Sequence, residues 1–361
     1  MLSDSGSLAE GCEREVHVTQ IRRLNSIMFI TALIALSPVL PSCQRSLSND
    51  GANAGSRTTD VREQLEACRR QHEAQVSTTE VKALRAELQR IGSVADQQTR
   101  RHAAMQRVMN DYSRGVCLIH GIFTLKEGHE KTMKPVRDDD GELLELEYLG
   151  SGFLVHESGL IVTNRHVAEP WWNNKGVAPL LARGLEPAFI KLTVTFPERP
   201  TITIDPTTIR VSAEDADVAV MTASFSGVPV LPLSHRDPGE LRGERLMLLG
   251  YPTGLSALLA RADPEVAAAA LAEANDTTTL IEALSRRHAI SPVITHGTLS
   301  DTTGRQLIYD AVTTSGGSGG PVFDQDGEVI GVNFAVLRDF QGSNFGVPIR
   351  FVRPLLAQDF N

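Results

Sequence analysis

TTSGGSGGPVF, residues 313–323, packs four glycines around Ser318 and then turns apolar. Glycine carries no Cβ and tolerates positive φ, so such a cluster marks either a loose Gly/Ser surface loop or a tight turn that holds Ser318 in place. Gly316 to Gly320 also satisfies G-x-S-x-G, the pattern of a nucleophile elbow. In that architecture the acid and the histidine follow the serine, whereas no histidine follows Ser318 in this chain. A triad in the α/β-hydrolase order is therefore excluded.

Upstream, His166 sits in TNRHVAE and Asp217 in DADVAV. Each is unremarkable alone, since most histidines fill cores or surfaces and an aspartate before a strand is common. Together with Ser318 they divide the labour of acyl transfer. A serine hydroxyl is a poor nucleophile near neutral pH and needs an imidazole to take its proton. The imidazole needs a carboxylate to fix its tautomer and to stabilise the imidazolium. The order His, Asp, Ser is that of chymotrypsin. Asp215 is the rival acid; Asp217 is favoured because it immediately precedes the apolar run VAVM.

The text around these residues predicts a mainly β protein. GVCLIHGIFTL, LEYLGSGFLVHESGLIVTNRHVAE, IKLTVTF, DVAVMTA, RLMLLGYP, RQLIYDAV, GEVIGVNFAV and NFGVPI read as short strands separated by glycine-rich turns, the pattern of a barrel or sandwich. One segment, 254–289, breaks this grammar. Asp263 before Pro264 reads as a helix cap, and Thr279 with Glu282 as a capping box, so a helical insertion is expected between two strands.

GSGFLVHESGLIVTNRHVAE, DADVAVMTA, GYPTG, THGTLS, YDAVTTSGGSGGPVFDQDGEVIGVN and NFGVPI together resemble a bacterial trypsin-like serine protease of the HtrA kind, over roughly Gly115 to Phe351. The resemblance implies a chymotrypsin-like double β-barrel of two six-stranded barrels. His166 and Asp217 would come from the first and Ser318 from the second, as the catalytic residues of a serine endopeptidase. It also implies an oxyanion hole made by the N–H groups of Gly316 and Ser318, in a turn that some relatives hold collapsed at rest. Val312 stands where trypsin-like proteins place an acidic residue, and Phe334-Ala335-Val336 matches their substrate-pairing strand. Val312, Phe334, Ala335 and Val336 are thus expected to form a small apolar pocket suited to short aliphatic side chains. Asp310 reads either as ordering the neighbouring loop or as a plain turn residue. With ten residues after Phe351 in this sequence, the PDZ domain common in that family is not expected here. A catalytically silent relative acting as a binding or scaffold module is the alternative, and an esterase with the same nucleophile is a third reading.

The remaining organisation is coarser. Residues 1–43 carry a basic IRRLN, a short apolar run and PSC ending at Cys43, which resembles a lipoprotein signal with Cys43 as the lipidation candidate. An ordinary cleaved signal or a single anchor would export the chain equally, to the periplasm or cell envelope. Residues 44–59 read as a tether and 60–111 as a helical segment, interrupted near Ser77. That segment is either a helix pair on the main domain or a coiled-coil stalk through which the chain self-associates. The protease domain is expected over 112–353, with a tail at 354–361. Cys68 and Cys117 either pair or stay free. Lys and Arg number 35 against 44 Asp and Glu, a net charge of −9, which argues against a general nucleic-acid binder. Protein or peptide substrates are the expected partners. No metal-ligand spacing is present, and no cofactor is expected.

Overall fold

The structure, a computed structural model, describes residues 54–128, 133–137, 140–336 and 343–357. Cys43 and the export region, most of the tether and the end of the tail lie outside the described residues. The chain divides into two units, one up to Lys82 and one from Ala83 onward.

A single helix of 57 residues, Ala54–Asn110 (α1), replaces the interrupted segment expected from the sequence. Serine and threonine at 77–79 cost a helix only tenths of a kcal/mol each, far less than a proline, so the helix runs through them and back into residues read as tether. In the first unit Val61 and Leu65 are exposed, and Arg69 pairs with Glu73 one turn on at 3.0 Å. In the second unit Leu84, Leu88 and Ile91, spaced four and three apart along the helix, are exposed too. The helix docks instead through its last turns, where Ala104 and Val108 are buried. Beyond it Tyr112 stacks on Phe323 with ring centroids 6.3 Å apart.

The first sheet is built from Val116–Glu127 (β1), Lys134–Pro135 (β2), Leu146–His156 (β3), Leu160–Thr163 (β4), Glu186–Thr195 (β5), Ile202–Thr203 (β6), Arg210–Val211 (β7) and Ala219–Thr222 (β8). β1 and β3 pair antiparallel from Val116 opposite Phe153 to Phe123 opposite Leu146. The strand order is β6-β5-β1-β3-β4-β8-β7, with β2 beside β1. This sheet is an open path among the described residues, not the closed six-stranded barrel the resemblance implied. Its edge strands β6 and β7 are two residues long, too short to carry a closing ladder. Between β4 and β5 lie two single-turn helices, Arg165–Ala168 (α2) and Ala178–Leu181 (α3).

The second sheet closes. Arg245–Gly250 (β9), Val293–Thr302 (β10), Leu307–Tyr309 (β11), Pro321–Phe323 (β12), Val329–Val336 (β13) and Asn344–Pro348 (β14) form a barrel in the order β10-β11-β14-β13-β12-β9. The insertion between β9 and β10 contains three helices, Leu255–Arg261 (α4), Pro264–Glu273 (α5) and Thr277–Arg286 (α6). Asp263 caps α5 as expected, accepting from Glu265 N–H at 2.9 Å. The cap of α6 lies earlier than the sequence suggested: Asp276 accepts from Thr279 N–H at 2.7 Å, and the Thr279 hydroxyl answers the Asp276 backbone, so Thr279 closes the box rather than opening it. From α6, Thr277 Oγ1 donates to Glu147 of β3 at 3.0 Å and Ser285 Oγ donates to the Arg199 carbonyl at 2.6 Å.

One apolar core joins the parts. Val116, Phe153 and Val162 of the first sheet meet Met247, Leu249 and Val329 of the second, and Leu258, Ile281 and Leu284 of the insertion join them. The tail starts as a short helix, Arg353–Ala357 (α7), with Leu355 buried. Both described cysteines are free: Cys117 is buried on β1 and Cys68 is exposed. Burial pushes the Cys117 thiol pKa well above its ordinary value. Among the described residues no helix is long and apolar enough to cross a membrane.

Candidate active site

His166 is presented by α2 at the end of β4, where Asn164 is wholly buried and its Nδ2 donates to the Asp217 carbonyl at 2.7 Å. That bond ties the loop before β8 to the strand end carrying the histidine. The Asp217 carboxylate then grips His166 twice: Oδ1 accepts the His166 backbone N–H at 3.0 Å, and Oδ2 lies 2.7 Å from ring Nδ1. A carboxylate at Nδ1 fixes the tautomer with its proton there and leaves Nε2 as the acceptor. Asp215, the rival acid, takes a different partner. Its side chain is 80% exposed and faces Arg165 at 3.6 Å.

Ser318 lies in a turn that is bonded at almost every step. Ser151 N–H donates to the Ser318 carbonyl at 2.8 Å, and Ser151 Oγ donates to the Gly316 carbonyl at 2.7 Å. Asn333 is buried; its Nδ2 donates to the Gly317 carbonyl at 2.8 Å and to Thr313 Oγ1 at 3.2 Å, and its Oδ1 accepts from Tyr309 at 2.6 Å. Two glycines are required by this geometry. Gly316 and Gly319 both have φ of +90°, and a Cβ at Gly319 would lie 2.0 Å from the Ser151 carbonyl oxygen. The segment is therefore a tight turn and not a loose loop.

The same turn settles which way one peptide faces. The Ser315 carbonyl accepts from Thr253 N–H at 2.7 Å. Carbonyl and N–H point in opposite directions across a trans peptide, so the Gly316 N–H is directed away from Thr253. Among the described residues, no backbone acceptor takes the Gly316 or the Ser318 N–H.

His166, Asp217, Gly316, Ser318 and Phe334 line one cleft of about 990 Å³. Val312 does not join them. Ala311 and Thr313 are buried while Val312 between them is 69% exposed, so residue 312 faces outward. Val312 lines a separate narrow recess with Leu248 and Thr295. Phe334 lines the cleft and packs against Phe345 at 6.2 Å; Ala335 and Val336 continue β13 at the backbone. Asp310 satisfies a backbone donor, accepting from Thr298 N–H at 2.6 Å.

A family model for the trypsin-like peptidase domain matches residues 150–332, a span that contains the gripped histidine, its carboxylate and the serine turn. The chain belongs to that family. Among its relatives, the putative serine protease HhoB of Synechocystis is 28% identical over 56% of this chain and 38% of that protein. The mitochondrial serine protease HTRA2 of Drosophila pseudoobscura is 28% identical over 58% of this chain and 38% of its own length. The probable periplasmic serine endoprotease DegP-like of Halomonas elongata is 27% identical over 63% of this chain and 38% of its own. The chain thus spans well under half the length of these relatives. The crystal structure of the serine endoprotease from Yersinia pestis superposes with a TM-score of 0.43 at 18% identity, covering 71% of this chain and 65% of that one.

Sequence reasoning missed three parts of this trypsin-like site. Ser151 and Asn333, which tie the serine turn, lie inside the motifs GSG and GVN, but their types gave no sign of that role. The apolar wall of the cleft built from Leu146, Tyr148 and Trp172 was also missed.

Proposed function

We propose that this chain is a serine endopeptidase in which Ser318 is the nucleophile, His166 the base and Asp217 its orienting carboxylate. The observation that carries this reading is the pair of hydrogen bonds by which the Asp217 carboxylate holds the backbone N–H and ring Nδ1 of His166, in the same cleft as Ser318. Ser318 Oγ attacks the carbonyl carbon as its proton passes to His166 Nε2. The tetrahedral intermediate collapses to an acyl-enzyme, and His166 returns the proton to the departing amine. Water then repeats the sequence and frees the acid.

The developing oxyanion is held by the N–H groups of Gly316 and Ser318. The direction of the Gly316 N–H and the absence of a backbone acceptor for either group among the described residues support a site ready at rest. One such donor is worth about 2.7–4 kcal/mol in a serine protease. With Val312 turned outward, the acyl-side preference rests on Phe334, and we read it as apolar rather than strictly small.

The test is hydrolysis of unfolded casein and of apolar peptides. Ser318→Ala and His166→Ala are expected to abolish it, and a fluorophosphonate is expected to label Ser318. Cleavage that survives in Ser318→Ala sinks the assignment. A folded chain that neither cleaves nor labels points to the silent-module alternative. Export and lipidation at Cys43 are part of the same proposal, tested by whether Cys43→Ser releases the chain from the membrane fraction.

A further inference from the structure

Much of the cleft's lining beside Ser318 is apolar and belongs to the first sheet and the loop that follows His166. Its wall comes from the start of β3 (Leu146, Tyr148, Leu149) and from the loop between α2 and β5, where Trp172 and Leu180 line it. Beneath lies a small satellite core of its own. Trp171 sits edge-on to Phe123 at 5.7 Å and tilted against Phe189 at 5.0 Å, with Leu125 and Val177 buried around them. The loop is held firmly. Asn174 Oδ1 accepts from Gly176 N–H at 3.0 Å and Val177 N–H at 3.3 Å, while its Nδ2 donates to the Pro170 carbonyl at 3.0 Å. Arg165 stacks over the Trp172 ring at 4.8 Å. A preformed, mostly apolar concavity with a few polar groups is the usual form of a binding site.

Its position relative to the reacting atoms tells which half of a substrate it meets. His166 must face the departing amine in order to protonate it, and His166 belongs to the same sheet as this wall. The acyl half is expected along β13, in the closed barrel. We propose that this wall is a leaving-side subsite that selects substrates with a bulky apolar residue just after the scissile bond. The proposal rests on Ser318 and His166 being nucleophile and base. No lysine or arginine is among the described lining residues, so the wall offers apolar side chains a matching surface and gives acidic ones no cationic lining partner.

The experiment uses the full chain and internally quenched peptides that are identical up to the scissile bond. They carry Phe, Ala or Asp at the first two positions after it. The readout is the ratio of kcat/KM between peptides within each variant, which cancels any uniform loss of active protein. In the unaltered chain Phe exceeds Ala by at least about tenfold, the lower end of what one apolar contact confers. Trp172→Ala and Leu146→Ala bring the ratio close to one, and Trp172→Phe restores most of it. An unaltered chain that labels with fluorophosphonate and cleaves all three peptides alike overturns the subsite alone. So does a ratio that survives both alanine variants. A chain that neither labels at Ser318 nor cleaves any peptide overturns the peptidase reading, and the subsite with it.

Discussion

Asn333→Ala offers the sharpest test of how the serine turn is held. The side chain makes three bonds: to the Gly317 carbonyl at 2.8 Å, to Thr313 Oγ1 at 3.2 Å and from the Tyr309 hydroxyl at 2.6 Å. At about 1 kcal/mol net for each, their loss costs about 3 kcal/mol. The cost does not climb far beyond that, because two former partners keep another bond. Tyr309 still donates to the Phe345 carbonyl at 2.9 Å, and the Gly317 carbonyl still accepts from Gly320 N–H at 3.2 Å. A 3 kcal/mol loss lowers Tm by roughly 6–12 °C in a domain of this size. Activity should fall further than stability implies, since a loosened turn misdirects the oxyanion donors; losing one outright is worth on the order of 10²–10³ in kcat. Thermal unfolding followed by circular dichroism gives the first quantity. Fluorophosphonate labelling of Ser318 well below Tm gives the second. A variant that melts within about 1 °C of the parent refutes the energetic argument. One that is destabilised but labels at the parent rate refutes the link from Asn333 to the donors.

Three further outcomes are expected. Asp217→Asn should lower kcat by on the order of 10⁴ through the wrong imidazole tautomer. Asp215→Asn should leave kcat within twofold, and steady-state kinetics on one peptide separates the two. Cys68, exposed, should react with a maleimide in the folded protein, while Cys117 is modified only after denaturation, as peptide mapping by mass spectrometry would show. Glu273 hydrogen-bonds Arg287 and Arg286, which hold its pKa down to about 2 from an ordinary 4.5. A depressed acid stabilises the fold above its unfolded pKa and loses that effect as pH falls through the folded value. The contact between α5 and α6 should therefore persist at pH 3, and an NMR titration of the Glu273 carboxyl with a midpoint near 4.5 would contradict this.

What could be read from the sequence follows from where chemistry limits the choice of residue. His166, Asp217 and Ser318 stood out as candidates because a nucleophile, a base and an acid need residues of those types, and the lack of a histidine after Ser318 left the order His, Asp, Ser; all three line one cleft. The β grammar and the insertion were legible from alternation and caps. Val312 was misplaced because it faces outward between buried Ala311 and Thr313, which only tertiary packing reveals. The aromatic floor under the cleft was invisible for a similar reason. Trp171 meets Phe123 and Phe189, residues remote from it in the chain, and nothing in EPWWNNKGVAPLL announces those neighbours. The open edge of the first sheet hangs on strands of two residues, below what any pattern can register.

The bonds from α6 to the first sheet have a mechanical consequence. Ser318 rides on the closed barrel and His166 on the open first sheet, so any hinge motion between the two changes their separation. Thr277 and Ser285 anchor the insertion to Glu147 and to the Arg199 carbonyl, and Leu284 sinks into the shared core. The insertion therefore acts as a brace that ties the two sheets together beside the cleft, and loosening it at Thr277 or Ser285 would free one sheet to move against the other.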